Sequence, residues 1–219
     1  MKLLLTSNGL CNKTIANRFI EMIGKPINEA IIVFIPTAAN VNISNKTWFV
    51  DDLVNIKKLK PKMLDIVDIS ALPKEIWQPR LEAADVLFFS GGNTFHLIYH
   101  IKKSGLDKLL PKLLETRLYT GISAGSIATS KSLALSSERN RTFVKKHNEY
   151  IDESGLSLVD FHIRPHFNSP IFPNLRDERL KELAKNVSEP VYAIDDETAI
   201  SIIDNKIDIV SEGEWKKYN

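Results

Sequence analysis

A single cysteine, Cys11, stands among the 219 residues, so no intramolecular disulfide framework braces this chain. No apolar run approaches the length of about 18 residues that a membrane helix needs, which excludes a spanning helix. Neither sign of charge is in excess, since 29 basic and 27 acidic residues leave a net charge of +2. That balance recruits neither nucleic acid nor an anionic membrane by electrostatics. The opening stretch, Met1 to Gly9, has a basic residue followed by apolar ones, yet the run is too short for the core of a signal peptide. With the lone cysteine, this gives the expectation of a cytoplasmic protein. Internal repeats, low-complexity tracts and linkers are also missing, and residues 1–219 read as a single domain.

What the chain does contain is an alternation of short apolar runs with longer amphipathic stretches. With 43% hydrophobic and 26% charged residues, this is the pattern of βαβ units. The fold class expected is α/β, a mainly parallel sheet flanked by helices. Strands are predicted at Lys2–Thr6, Ala30–Ile35, Met63–Asp68, Val86–Ser90 and Leu118–Ile122, each apolar on both faces as buried parallel strands are. Helices are predicted at Thr14–Ile23, Lys46–Leu59, Lys74–Ala83, Thr94–Lys103 and Leu106–Glu115, where Gly and Pro punctuate the boundaries. The basic run from Lys57 to Lys62 reads as a solvated helix end. Ser132–Val159 has no clear period. Beyond it come a short strand at Phe161–Pro165, a helix over Leu175–Asn186, and strands at Val191–Ile194, Ala199–Ile203 and Lys206–Val210. Asp204-Asn205 between the last two is a hairpin signal.

Gly121-Ile122-Ser123-Ala124-Gly125 directly follows an apolar strand and precedes a run of small residues. A tight turn at this place lifts a serine hydroxyl above the sheet edge, the arrangement of a nucleophile elbow. Ser126 is the local rival, but it falls inside the following helix. A second strand-to-helix turn, Ser90-Gly91-Gly92-Asn93-Thr94, has paired glycines that let backbone amides approach a ligand. Gly92 and Ala124 are thereby candidate oxyanion donors, and a bulky residue at Gly92 is expected to cost about 10²–10³ in turnover. Asn93 is a candidate substrate contact or, equally, the helix N-cap.

A serine nucleophile needs a base, and His166 in Arg164-Pro165-His166-Phe167 is the best placed of five histidines. His96 and His100 stand four apart on a helix without a third ligand, so no metal site is expected there. His162 lies in a strand and His147 in a charged, solvated stretch. The acid that would orient the imidazole is sought in Asp195-Asp196-Glu197, an acidic turn that offers three choices.

Taken together, Leu3–Asn8, Phe34-Ile35-Pro36-Thr37-Ala38, Gly91-Gly92-Asn93-Thr94-Phe95, Gly121–Gly125, Arg164–Phe167 and Ile194–Ala199 resemble one family, the serine peptidases of the peptidase E and cyanophycinase type. The resemblance implies a flavodoxin-like sheet related to class I glutamine amidotransferases, with serine in place of their cysteine. It implies peptide-bond hydrolysis without metal or cofactor, with Ser123 as nucleophile, His166 as base, and the Gly92 and Ala124 amides at the oxyanion. Ungapped matching to Thr198-Ala199 favours Asp196 as the acid. Relatives often carry Trp where Ile122 stands and Ala where Ser126 stands, so the pocket differs. In aspartyl dipeptidases a basic group must meet the substrate's acidic side chain, and Arg176 and Arg179 fall where the family has arginines. A salt-bridged helix face is the other reading of Leu175–Arg179.

The function expected is a serine-type peptidase acting on short peptides, Asp-Xaa dipeptides among them. The rivals are an amidase or acyl hydrolase on the same fold and a binding or regulatory module that has lost turnover. Small peptides are the expected partners, with neither nucleic acid nor membrane; assembly into a homo-oligomer is left open.

Overall fold

The computed structural model describes residues 1–41, 43–146 and 153–219, apart from the side chains of residues 138 and 139. The chain runs β1 (Lys2–Thr6), α1 (Lys13–Ile23), a short 3₁₀ turn, β2 (Ile31–Ile35), α2 (Thr47–Lys58), β3 (Met63–Ile66), α3 (Lys74–Ala83), β4 (Val86–Phe89), α4 (Thr94–Ser104), α5 (Leu106–Leu113), β5 (Leu118–Ile122) and α6 (Ala124–Ile127). It continues with α7 (Glu138–Lys146), β6 (His162–Arg164), α8 (Asp177–Ala184), β7 (Val191–Ile194), β8 (Thr198–Ile203), β9 (Lys206–Ser211) and β10 (Trp215–Tyr218).

Seven strands form the main sheet in the order β3-β2-β4-β5-β1-β8-β9. The first five are parallel, while β8 runs antiparallel to β1, with Thr6 opposite Ala199, and β9 antiparallel to β8. Asp204 and Asn205 turn the β8–β9 hairpin with φ of 48° and 70°, the left-handed pair that such a two-residue turn requires. A second sheet of three strands, β10-β7-β6, stands beside the first.

Strand residues of alternating parity feed two cores. Leu3, Leu5, Val33, Ile35, Leu87 and Phe89 face the side of α3, α4 and α5. Leu4, Ile32, Phe34, Val86 and Phe88 face α1 and α2. Phe88 sits between Phe19 and Phe34 at centroid distances of 5.8 and 5.7 Å, and burying one such side chain stabilises the fold by roughly 1.5–3 kcal/mol. Helix α1 begins where the Asn12 side chain accepts the Ile15 amide and ends at the left-handed Gly24. No described helix is long and apolar enough to cross a membrane.

Within the aperiodic segment Ser132–Val159 the chain forms α7, whose Val144 is its one fully buried apolar side chain. A single buried anchor leaves no period to read. Strand β10 is likewise absent from the sequence reading; three of its four residues are exposed, and it is held by pairing with β7. His147 lies outside the described residues.

Candidate active site

Five chain segments, carrying Ser7, Gly91-Gly92, Ser123, His166 and Asp196, converge at the C-terminal edge of the parallel strands. Strand β5 delivers Ser123, whose φ of 45° and ψ of −99° fall outside the regions that L-residues favour. Such a conformation costs of order 1–3 kcal/mol and persists only where its surroundings fix it. Two tight contacts do so: a Cβ on Gly121 would lie 2.6 Å from the Gly125 carbonyl carbon, and one on Gly125 would lie 2.5 Å from the Phe89 carbonyl oxygen. The Ser123 amide donates to the Thr6 carbonyl at 3.0 Å. Ser126 is buried, its hydroxyl donating to the carbonyls of Thr6 and Gly121 at 2.8 and 2.9 Å. It fixes the turn and faces no solvent.

His166 follows β6 and also holds a left-handed backbone, with φ of 65°. Its Nε2 lies 2.9 Å from Ser123 Oγ, and its Nδ1 lies 2.6 Å from Asp196 Oδ1. Phe172 stacks on the imidazole at 4.3 Å between centroids. Asp196 occupies the connection from β7 to β8, and because β8 is antiparallel to β1 that connection arrives beside the end of β1. Burial raises the Asp196 carboxyl, but hydrogen bonds and charge from His166, with a hydrogen bond from Ser7, outweigh it and hold the group below its ordinary range.

Of the three acids left open by the sequence, Asp196 alone meets the imidazole. Asp195 accepts the Glu197 amide, the Thr198 hydroxyl and the Glu214 amide, and so fastens the turn. Glu197 is exposed.

Ser7 is the residue that sequence reasoning missed. Fully buried, it accepts the His166 amide at 2.8 Å and donates to Asp196 Oδ1 at 2.7 Å. Its position just past β1 was the available signal. The thiol of Cys11 donates to the Asp196 carbonyl at 2.9 Å, and burial, with added repulsion from the three neighbouring acids, pushes it up to about 11.

The Gly91-Gly92 turn borders the nucleophile. A Cβ on Gly91 would lie 3.5 Å from both Ser123 Cβ and Trp48 Cζ3. At Gly92, φ is 133° and a Cβ would lie 2.1 Å from the Ala38 carbonyl oxygen. The expectation that a bulky residue at Gly92 reports on oxyanion binding is therefore corrected: any side chain there first collides with the backbone. Neither the Gly92 nor the Ala124 amide has an acceptor among the described residues. Of the two readings of Asn93, the structure has the helix N-cap. Asn93 is fully buried, its Oδ1 caps α4 by accepting from Phe95 and His96, and its Nδ2 donates to the Asn140 carbonyl. Asn140 in turn donates to the Gly92 carbonyl at 3.3 Å, so α7 braces the glycine turn.

Arg176 turns its Nη1 to the carbonyls of Ser169, Phe172 and Leu175, bracing the loop that lays Phe172 on His166. The salt-bridged helix face is formed differently from expectation, as Asp177 pairs with Lys181 and Lys216. Arg179 is exposed. His162 stands 3.6 Å from Glu189, and the rings of His96 and His100 lie 4.3 Å apart. Among the described residues no group of three His, Cys, Asp or Glu is arranged to hold a metal ion.

The chain is similar to known peptidases along most of its length. The model of peptidase family S51 matches residues 3–210. An uncharacterized peptidase of Listeria monocytogenes is 30% identical over 172 residues, spanning 78% of this chain and 81% of its own. A peptidase E of Shewanella putrefaciens is 27% identical over 186 residues, 82% of this chain and 74% of its own. Among solved structures, a candidate peptidase E protein from Listeria monocytogenes superposes with a TM-score of 0.79 at 25% identity, covering 97% of this chain and 98% of that one.

Proposed function

The chain belongs to peptidase family S51, and from that premise we propose that it is a serine-type peptidase hydrolysing short peptides through Ser123, His166 and Asp196. The observation that carries the proposal is the unbroken relay from Ser123 Oγ to His166 Nε2 at 2.9 Å and from His166 Nδ1 to Asp196 Oδ1 at 2.6 Å.

In this reading Ser123 Oγ attacks the scissile carbonyl while Nε2 takes the hydroxyl proton. The carbonyl oxygen becomes an oxyanion, and the Gly92 and Ala124 amides, which have no other acceptor among the described residues, donate to it. The proton on Nε2 then passes to the leaving amine as the carbon–nitrogen bond breaks, leaving an acyl-serine. Water, deprotonated by the same nitrogen, hydrolyses that ester and restores the hydroxyl. Asp196 holds Nδ1–H throughout and stabilises the transient imidazolium.

None of these steps requires a metal, and a chelator is expected to leave the rate unchanged. The preference for an aspartyl side chain rests on Arg176 or Arg179. Arg176 spends Nη1 on loop carbonyls, so Asp-Xaa dipeptides belong in the substrate panel beside apolar ones.

Labelling with a fluorophosphonate, followed by peptide mapping, tests the reading. Modification of Ser123 in the native protein, abolished in the Ser123→Ala variant together with dipeptide hydrolysis, is the expected result. Wild-type protein that hydrolyses no peptide and leaves Ser123 unlabelled by several such reagents would instead favour a binding module. Hydrolysis of non-peptide amides alone would favour the amidase.

A further inference from the structure

The three tryptophans take three different places. Trp77 is fully buried in a core, and Trp215 lies on the exposed strand β10. Trp48 is half-buried and, among the described residues, packs into neither core of the main sheet. Its indole meets Phe49 edge-on at 6.0 Å between centroids, and the Lys46 ammonium lies 5.7 Å from its ring centroid. The start of α2 is fixed by Asn45, whose Oδ1 accepts the Thr47 amide at 2.9 Å and the Thr47 hydroxyl at 2.6 Å. A large aromatic side chain held off the core in this way offers apolar surface to a ligand.

A bound on its distance from the nucleophile comes from Gly91. The point where a Gly91 Cβ would be lies 3.5 Å from Ser123 Cβ and 3.5 Å from Trp48 Cζ3. Two ordinary van der Waals contacts end to end thus put the indole edge at most about 7 Å from the serine side chain, across a residue that has no side chain of its own. The edge presented is the benzo edge of the ring, which carries no hydrogen-bond donor.

Sheet order decides which side of the scissile bond this edge meets. Strand β5, which delivers Ser123, lies between β4 and β1. His166 reaches the serine from the β1 flank, where Ser7 and Asp196 hold it. Gly91 follows β4, and Trp48 stands against it on that opposite flank. The leaving amine must lie beside His166 Nε2 to take its proton. The residue that stays acylated on Ser123 therefore extends along the other flank, toward Trp48.

We propose that Trp48 is the specificity-determining wall for the side chain on the acyl side of the scissile bond, selecting a large apolar or aromatic side chain over a small or acidic one. This rests on the peptidase reading and names a substrate class within it. The indole gains from covering apolar area and gives an acid no hydrogen bond. Lys46, the cation beside it, spends its ammonium on the Ala39 carbonyl at 2.6 Å and the Ser44 hydroxyl at 3.0 Å. Apolar walls separate side chains that fill them from those that do not by about 10–200-fold.

The dipeptides Phe-Ala, Leu-Ala, Gly-Ala and Asp-Ala test the proposal, by steady-state kinetics and, in the Ser123→Ala background, by calorimetric binding. Wild-type kcat/KM for Phe-Ala is expected to exceed that for Gly-Ala and for Asp-Ala by about tenfold or more, and Trp48→Ala is expected to bring the Phe-Ala to Gly-Ala ratio below about threefold. Should Trp48→Ala not fold, Trp48→Gln carries the same expectation. A ratio that survives the substitution overturns the proposal, because a merely structural tryptophan lowers all four substrates alike. Preference of the wild type for Asp-Ala also overturns it and would assign selection to Lys46 or Arg176. Wild-type protein that hydrolyses none of the four, while Ser123→Ala protein binds Phe-Ala about tenfold more tightly than Gly-Ala and loses that preference with Trp48→Ala, keeps the wall and removes the peptidase. Hydrolysis of all four at similar rates does the reverse.

Discussion

The hydroxyl of Ser7 accepts the backbone amide of His166 at 2.8 Å, joining the first strand to a residue 159 positions away. The same hydroxyl donates to Asp196 at 2.7 Å, so one small side chain holds both His166 and Asp196. Ser7→Ala is expected to lower kcat by on the order of 10², as loss of alignment in a catalytic relay does. It is also expected to destabilise the fold by about 1–3 kcal/mol through the unpaired His166 amide. Steady-state kinetics and urea unfolding check the two effects separately. Unchanged kcat at the lower stability would make Ser7 structural only.

Asp196→Asn and Asp195→Asn should part company. The first removes the carboxylate from Nδ1 and is expected to cost roughly 10⁴ in kcat with the fold intact. The second weakens the bonds to the Glu197 and Glu214 amides and to Thr198, so its effect should be on thermal stability, with most turnover retained. Kinetics that rank the variants the other way round would move the acid to Asp195.

Neighbouring glycines give the next contrast. Gly91→Ala places a methyl group in ordinary contact with Ser123 and Trp48, and the protein is expected to fold normally while kcat/KM falls about 10–100-fold. Gly92→Ala drives the same methyl into the Ala38 carbonyl at 2.1 Å and is expected to yield little folded protein. Circular dichroism alongside turnover distinguishes them.

The pH dependence of stability should carry two opposed contributions. Asp52, raised by burial with a contribution from Asp51, has a folded-state pKa of about 7 against an ordinary 3.8, so the folded state holds its proton more tightly and stability is lost as pH rises through 7. Asp52→Asn is expected to match wild type below pH 4 and to exceed it by roughly 2–4 kcal/mol above pH 8. Asp196, held low, contributes stability that is present above about pH 4 and lost as pH falls through its depressed value. Urea midpoints between pH 3 and 9 measure both. Parallel curves for wild type and Asp52→Asn would show that the Asp52 carboxylate is not isolated.

The parallel core of the fold was legible because its strands are apolar on both faces and Gly or Pro marks one boundary of its helices, so Lys74–Ala83, which follows Pro73, and Leu118–Ile122 match to the residue. Ser123 and His166 were legible because turns demand particular residues at fixed spacing. Ser7 was not, since its partners become neighbours only once β8 has paired with β1. The roles of Asn93 and Asn140 depend on α7, whose nine residues bury too little to leave a pattern. Asp52 left a readable trace, an acid on the apolar stripe of α2.

Strand β7 leaves the small sheet, passes Asp195, Asp196 and Glu197, and enters the main sheet as β8. Ser123 follows a strand of one sheet, His166 follows a strand of the other, and Asp196 lies on the crossing between them. The crossing is tied down from the far end of the chain: Glu214 bonds Asp195 through its amide and carbonyl and takes the Asn168 amide on its carboxylate, and β10 then pairs with β7. During synthesis, the turn carrying Ser123 therefore emerges about ninety residues before the clasp at Glu214 that holds the Asp195–Asp196 turn. A nascent chain would carry Ser123 long before the segment Glu214–Tyr218 that ties down the Asp195–Asp196 turn.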